Sequence, residues 1–358
     1  MAKIAFYANN LTERGTAVAL FDYADQNRTL LRNESVVLYD ATFPGNNPKV
    51  VEKFKAAFDL IPCNSFAKAD SYIGSENCDL LYVLKAGKRD DLVSRLVPTM
   101  VHSVFATTVR QLHGASYAYV SEWLSDHCTR GLVPWVPHIV AIGESDETLR
   151  GALNIPQESM VFGCYGGPDS FDIGFVKGSV IPKVLEMLPQ TYFIFMNIRK
   201  FIDHPRVIFR TATADMGDKT AFINTCDAML HARSRGETFG LAVGEFSLRA
   251  KPVLTFGGSK ERAHLDVLGE TAQVYRSSDN LYELIKNFDR SAPSAQQAYR
   301  QLFSPAPVMQ RFDEKLIKPA QTGDLDGARK AIGLRRWDPV LMARPKLRKI
   351  LGKFGRPS

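Results

Sequence analysis

Cysteine is scarce: five residues, at 63, 78, 128, 164 and 226, odd in number and widely spaced, with no Cys-x-x-Cys pair. That excludes a disulfide-stapled scaffold and gives no zinc-site spacing. No apolar run approaches ~20 residues, so no transmembrane helix is expected. Residues 1–7 lack an apolar core of signal-peptide length. A reducing, cytoplasmic setting is the expectation. No Gly-x-Gly-x-x-Gly follows a strand-like run, which argues against a dinucleotide oxidoreductase. No fixed-period repeat and no low-complexity segment occurs. Net charge is also missing from the body of the chain. Of the +7 total, residues 319–358 carry all of it, ten Lys or Arg against three Asp, and the other 318 residues hold 35 of each sign. A nucleic-acid partner is therefore not expected.

What is present is an ordinary globular composition, 45% hydrophobic and 23% charged over 358 residues, enough for two domains. Short apolar runs alternate with helical stretches. Strands are expected over residues 4–8, 35–39, 80–84, 101–105, 117–120 and 138–142, with an amphipathic helix over 16–25. A polar, proline-containing stretch at 153–159 follows, and the pattern restarts. Strands are expected over 160–165, 192–196, 207–209, 228–231, 252–255 and 272–275, with helices near 175–188, 219–225 and 240–249. The fold class is α/β, two tandem Rossmann-like doubly wound domains with a cleft between them. The expected boundaries are 1–153, 154–305, a C-terminal helix over 306–320 and a basic tail over 321–358. Ligands of such sheets bind at the carboxyl ends of strands, where helix N-termini face anions.

The densest signal follows the strand ending at His231. A polar loop carries Glu237 in Gly236-Glu237-Thr238-Phe239-Gly240-Leu241. Gly240 permits a tight entry to a helix bearing Glu245, and Lys251-Pro252-Val253 leads into the next strand. The free N–H groups at that helix start suit a diphosphate. Taken singly, Glu237 is also compatible with serving the helix dipole, and Glu245 with pairing to Arg249 at i,i+4.

Loop, helix start, helix carboxylate and exit strand together resemble the Glu-x7-Glu motif of retaining GT-B glycosyltransferases, the family 4 class. The resemblance covers roughly residues 155–275 well and the first half loosely. It implies a GT-B fold and transfer of a sugar, of the hexosyltransferase type, from a nucleotide-sugar donor with retention. It implies no cofactor and no metal. Glu237 would approach the donor-sugar hydroxyls and serve the chemistry. Thr238, Phe239, Gly240 and Leu241 would meet sugar and phosphate through their amides. Glu245 would hold the ribose.

Weaker candidates follow from the same resemblance. Arg14, Gly15 and Thr16 follow the first strand, where family members face the donor phosphate, and Thr16 is expected to cap the helix. His102 takes the place of a sugar-contacting histidine, or is structural. Asn197 and Lys200 end a strand on the cleft side and are donor candidates, and Gly257-Gly258 is a further cleft loop. Where the family has an arginine, this chain has Cys164. Lys177, Arg199, Lys200 and Arg233 are the cations able to compensate. Cys164 is not expected to be a nucleophile.

The expected partners are the nucleotide-sugar and a glycan or lipid-linked acceptor, as in polysaccharide biosynthesis. The tail, with Trp337, Leu341, Met342, Leu347, Ile350, Leu351 and Phe354 among its cations, reads as a peripheral contact with anionic lipid at the inner membrane face or as a solvated end. Two rival functions stand: a degenerate GT-B glycan- or partner-binding protein without turnover, and a nucleotide-sugar epimerase of the same fold.

Overall fold

The structure, a computed structural model, describes residues 1–323. Of the expected basic tail, everything from residue 324 onward lies outside the described residues. The chain divides into two compact units. The first comprises Met1–Ile139 and the chain from Pro305 onward, and the second is Val140–Ser304.

Unit 1 holds β1 (Lys3–Ala8), β2 (Glu34–Asp40), β3 (Asp59–Cys63), β4 (Leu80–Lys85), β5 (Thr99–Ser103) and β6 (Ser116–Tyr119), in the order β3-β2-β1-β4-β5-β6. All pairs are parallel. β4 and β5 are buried along their whole length, the signature of strands covered on both faces. Helix α1 (Gly15–Thr29) buries Ala17, Leu20, Ala24 and Asn27, an i,i+3,i+4 stripe. Helix α2 (Pro48–Ala57) starts on a proline, with the Asn47 side chain accepting from the Lys49 N–H at 2.8 Å. Ser65 and Ser121 cap α3 (Phe66–Ser75) and α4 (Glu122–Thr129) in the same way.

Unit 2 repeats the plan. Its main strands are β7 (Met160–Tyr165), β8 (Thr191–Met196), β9 (Val207–Arg210), β10 (Ala228–His231), β12 (Val253–Phe256) and β14 (Gln273–Tyr275), in the order β14-β12-β10-β7-β8-β9. A separate two-residue pair joins β11 (Gly236–Glu237) to β13 (Glu261–Arg262). The helices are α5 (Ile181–Met187), α6 (Met216–Thr225), α7 (Leu241–Leu248), α8 (Ala263–Leu268), α9 (Ser278–Lys286) and α10 (Gln296–Leu302).

After unit 2 the chain returns to unit 1 as α11 (Pro305–Phe312) and α12 (Lys318–Thr322), joined by helical residues 313–317. Phe312 stacks on Tyr23 with ring centroids 5.0 Å apart, and the Ser116 hydroxyl donates to the Leu316 carbonyl at 2.9 Å. The helix expected over 306–320 is present and belongs to unit 1.

Two expectations need correction. The boundary falls at 139/140 instead of 153/154. Residues 140–159 belong to unit 2 because Arg150 organises them. Its guanidinium donates to the Pro156 and Ser159 carbonyls at 3.0 and 2.9 Å and pairs with Asp227 at 3.0 Å. The strand expected over 138–142 is irregular chain. His138, Ile139 and Val140 are buried and Ala141 is exposed, but Pro137 precedes them and the stretch joins no ladder. Conversely, β3 gave no signal. It is an edge strand with Pro62 inside it and only Cys63 buried.

Candidate active site

In unit 2 the strand order reverses between β7 and β10, the place where parallel sheets of this kind take ligands. The loops leaving these two strands are latched together. Asp172, after β7, accepts from the Ser234 N–H at 2.6 Å and the Ser234 hydroxyl at 2.7 Å, and its own N–H donates to the Ala232 carbonyl at 2.9 Å.

That latch leads the chain into β11, which presents Glu237. Gly236 has φ +77°, and a Cβ there would lie 2.0 Å from the Glu261 carbonyl oxygen, so the β11–β13 pairing admits only glycine. Gly240, at φ +96°, turns the chain into α7, whose first internal bond is Gly244 N–H to Gly240 O at 3.1 Å. The first-turn amides ahead of it have no acceptor within the helix. Phe239 points inward, its ring edge-on to Phe303 at 5.4 Å, so residues 238–241 offer backbone to a ligand.

The Glu237 side chain is 20% exposed and is held from two sides. Arg233 Nη1 lies 2.8 Å from Oε1 and 2.9 Å from Oε2, and His231 Nε2 lies 3.3 Å from Oε1. Burial pushes the carboxyl up. The hydrogen bond from His231 and the Arg233 charge outweigh burial and hold it at about 2. It is therefore an anion at neutral pH and only an acceptor. Three of a carboxylate's roughly four lone-pair sites are filled, leaving one on Oε2. Arg233 is 30% exposed, and its Nη2 and Nε have no protein acceptor among the described residues. Tyr299 is buried nearby with an unpartnered hydroxyl. Burial first and the Glu237 charge second push its phenol up.

Glu245 is buried to 3% exposure and pairs with Lys219 of α6 at 2.7 Å. The alternative pairing with Arg249 is absent. Arg249 reaches Asn224, the Ser145 carbonyl and Asp146.

The remaining candidates scatter. Cys164 is buried within reach of the Glu237 and Arg233 charges, and burial first pushes its thiol up to about 12, which leaves no nucleophile. Asn197, in the left-handed region at φ +56°, gives its amide to the Gly166 carbonyl at 2.7 Å and so ties β8 to the loop after β7. Lys200 and Arg199 are exposed and pair with Asp203 and Asp169. In unit 1, Arg14 itself occupies the N-cap of α1 and Thr16 falls inside the first turn, so the expected Thr16 cap is absent and no side chain replaces it. Arg14, Gly15 and Thr16 are exposed. His102 is a core residue, 0% exposed, with Nδ1 on the Tyr82 hydroxyl at 2.9 Å and Nε2 on the Val136 carbonyl at 2.8 Å. Burial lowers it to about 4. Both nitrogens being satisfied inside unit 1, it is structural and not a sugar contact.

No protein-family model matches the chain, and no curated protein matches it. Solved structures do. The chain is similar to HepE of Anabaena in complex with UDP and glucose (TM-score 0.66, 15% identical, covering 88% of this chain and 99% of that one). It is similar to a glycosyltransferase from Rickettsia africae ESF-5 (TM-score 0.62, 11% identical, 92% and 99% covered). It is also similar to S. aureus MnaA in its UDP co-structure (TM-score 0.58, 12% identical, 87% and 95% covered). At such identities the likeness is one of architecture: two parallel six-stranded α/β domains in tandem, the GT-B fold.

Proposed function

We propose that the protein is a glycosyltransferase that takes a sugar from a nucleotide-sugar donor bound by unit 2, and transfers it to a glycan or lipid-linked acceptor with retention. The observation that carries this reading is the half-buried, ionised Glu237 set immediately before the α7 N-terminus at the switch point of the sheet. An anion there repels phosphate but suits sugar hydroxyls, and the helix amides beside it suit the diphosphate. The two groups fit the two ends of one ligand. The complexes of HepE with UDP and glucose and of MnaA with UDP support the same ligand class.

Glu237 Oε2 accepts one sugar O–H. The free Nη2 and Nε of Arg233 supply the guanidinium that Cys164 cannot, and grip the diphosphate. Charge on the leaving diphosphate is stabilised by Arg233 and the α7 amides, without a metal. Orientation of the donor sugar, with no covalent nucleophile, leaves the departing phosphate to accept the acceptor's proton.

The test is nucleotide release from a panel of UDP-, GDP- and ADP-sugars in the presence of a chelator. Slow release from one donor, lost in Glu237→Ala, is expected. Absence of release, with no nucleotide-induced rise in melting temperature, would overturn the reading in favour of a binding protein without turnover. Isomerised sugar nucleotide formed from donor alone would overturn it in favour of an epimerase.

A further inference from the structure

Behind Glu237, on the side away from its free oxygen, stands a line of polar side chains sealed from solvent. His231 is 3% exposed, and Thr255 and His264 are 0% exposed. His231 and Thr255 are register partners on the adjacent strands β10 and β12, which brings their side chains together on one face of the sheet. His231 Nδ1 is 2.8 Å from Thr255 Oγ1, and Thr255 Oγ1 is 3.0 Å from His264 Nε2. The two imidazole rings lie 4.7 Å apart. The contacts run unbroken from α8 to the carboxylate.

Their polarity follows from the end that is fixed. Glu237 only accepts, so His231 Nε2 carries the hydrogen, and in the neutral imidazole its Nδ1 is then the acceptor. The Thr255 hydroxyl has one proton and gives it to that nitrogen. It must then accept from His264 Nε2–H. The His264 Nδ1 is left as a lone pair, and it is buried without a partner. Burial lowers His264 to about 3, in keeping with a neutral ring. A buried nitrogen without a partner destabilises the fold, and an apolar side chain would fill that place without this cost. The arrangement makes sense as part of the site it leads to.

We propose that Thr255 and His264 are positioning residues. The donor chain His264 to Thr255 to His231 to Glu237 locks His231 in its Nε2–H tautomer and anchors Glu237 Oε1, so that Oε2 faces the donor sugar. The inference rests on Glu237 being the sugar-binding carboxylate.

The experiment uses full-length protein labelled with 15N-histidine and long-range 1H–15N NMR. His231 and His264 are both expected as Nε2–H tautomers at neutral pH. Thr255→Val should remove the hydroxyl donor from His231 Nδ1 and move its 15N shift toward that of an unbonded acceptor nitrogen, and Thr255→Ser should restore the wild-type shift. In parallel, the affinity of a sugar nucleotide relative to its free nucleotide should fall roughly five- to tenfold in Thr255→Val, the size of one lost hydrogen bond, and recover in Thr255→Ser. A wild-type His231 with its proton on Nδ1, or a His231 pattern unmoved by Thr255→Val, overturns the inference whatever the activity. Loss of sugar preference in Glu237→Gln but not in Thr255→Val overturns the inference alone. Loss in neither overturns the reading of Glu237, and the inference with it.

Discussion

Replacing Glu237 with glutamine keeps the shape of the side chain, removes its charge and exchanges one acceptor oxygen for a donor amide. The magnitude follows from the carboxyl being held at about 2 against an ordinary value of 4.5. The difference of about 2.5 units, at ~1.4 kcal/mol each, means the folded protein favours the ionised form by about 3 kcal/mol. The side chain is mostly buried, so solvent screening removes little of this, and Glu237→Gln should lose about 2–3 kcal/mol of stability at pH 7. The sign of the pH dependence is fixed. A carboxyl depressed on folding stabilises fully above its unfolded value near 4.5, and that contribution fades as pH falls toward 2. Urea unfolding followed by circular dichroism at pH 7, 5, 4 and 3 should show the gap between wild type and variant intact at pH 7 and 5 and shrinking below. A gap that persists undiminished at pH 3, or equal stability at pH 7, would refute the electrostatic account of the site.

Three further outcomes follow. Gly236→Ala forces a Cβ to 2.0 Å from the Glu261 carbonyl at φ +77°, so it should destabilise by ~2 kcal/mol or more and abolish donor turnover, read by thermal melting and nucleotide release. Lys219→Met removes the partner of a carboxylate only 3% exposed and should cost about 3–5 kcal/mol, while Lys219→Met with Glu245→Leu should recover much of it in urea titrations. All five cysteines are buried, and burial holds the Cys164 thiol at about 12. A maleimide reagent at pH 7.5 should therefore label the native protein slowly and leave donor turnover unchanged, whereas rapid labelling at Cys164 would contradict its placement.

The doubly wound plan was legible because most strands are short apolar runs punctuated by loops, as in β7 and β10, whose bounds match expectation. It failed where apolarity and laddering part company. Residues 138–140 are buried without being a strand, and β3 is a strand with only Cys63 buried. Glu237, Gly240 and α7 were legible because they lie within one short stretch. The environment of Glu237 was not. Arg233 was recognisable only as one cation among several, and Thr255 and His264 reach the site through strand register and helix packing that no local pattern records. The partner of Glu245 was missed for the same reason, since Lys219 lies 26 residues away. His102 misled because a core histidine and a ligand histidine look alike until both nitrogens are accounted for.

The central claim is that Glu237 holds the donor sugar while Arg233 and the α7 amides beside it hold the diphosphate. Calorimetric titration of a nucleoside diphosphate and of its sugar conjugate into wild type and Glu237→Gln tests it most directly. The account predicts that the conjugate binds more tightly than the free nucleotide to wild type and that this increment vanishes in the variant. An unchanged increment in Glu237→Gln, or an equal loss of both ligands, would contradict it.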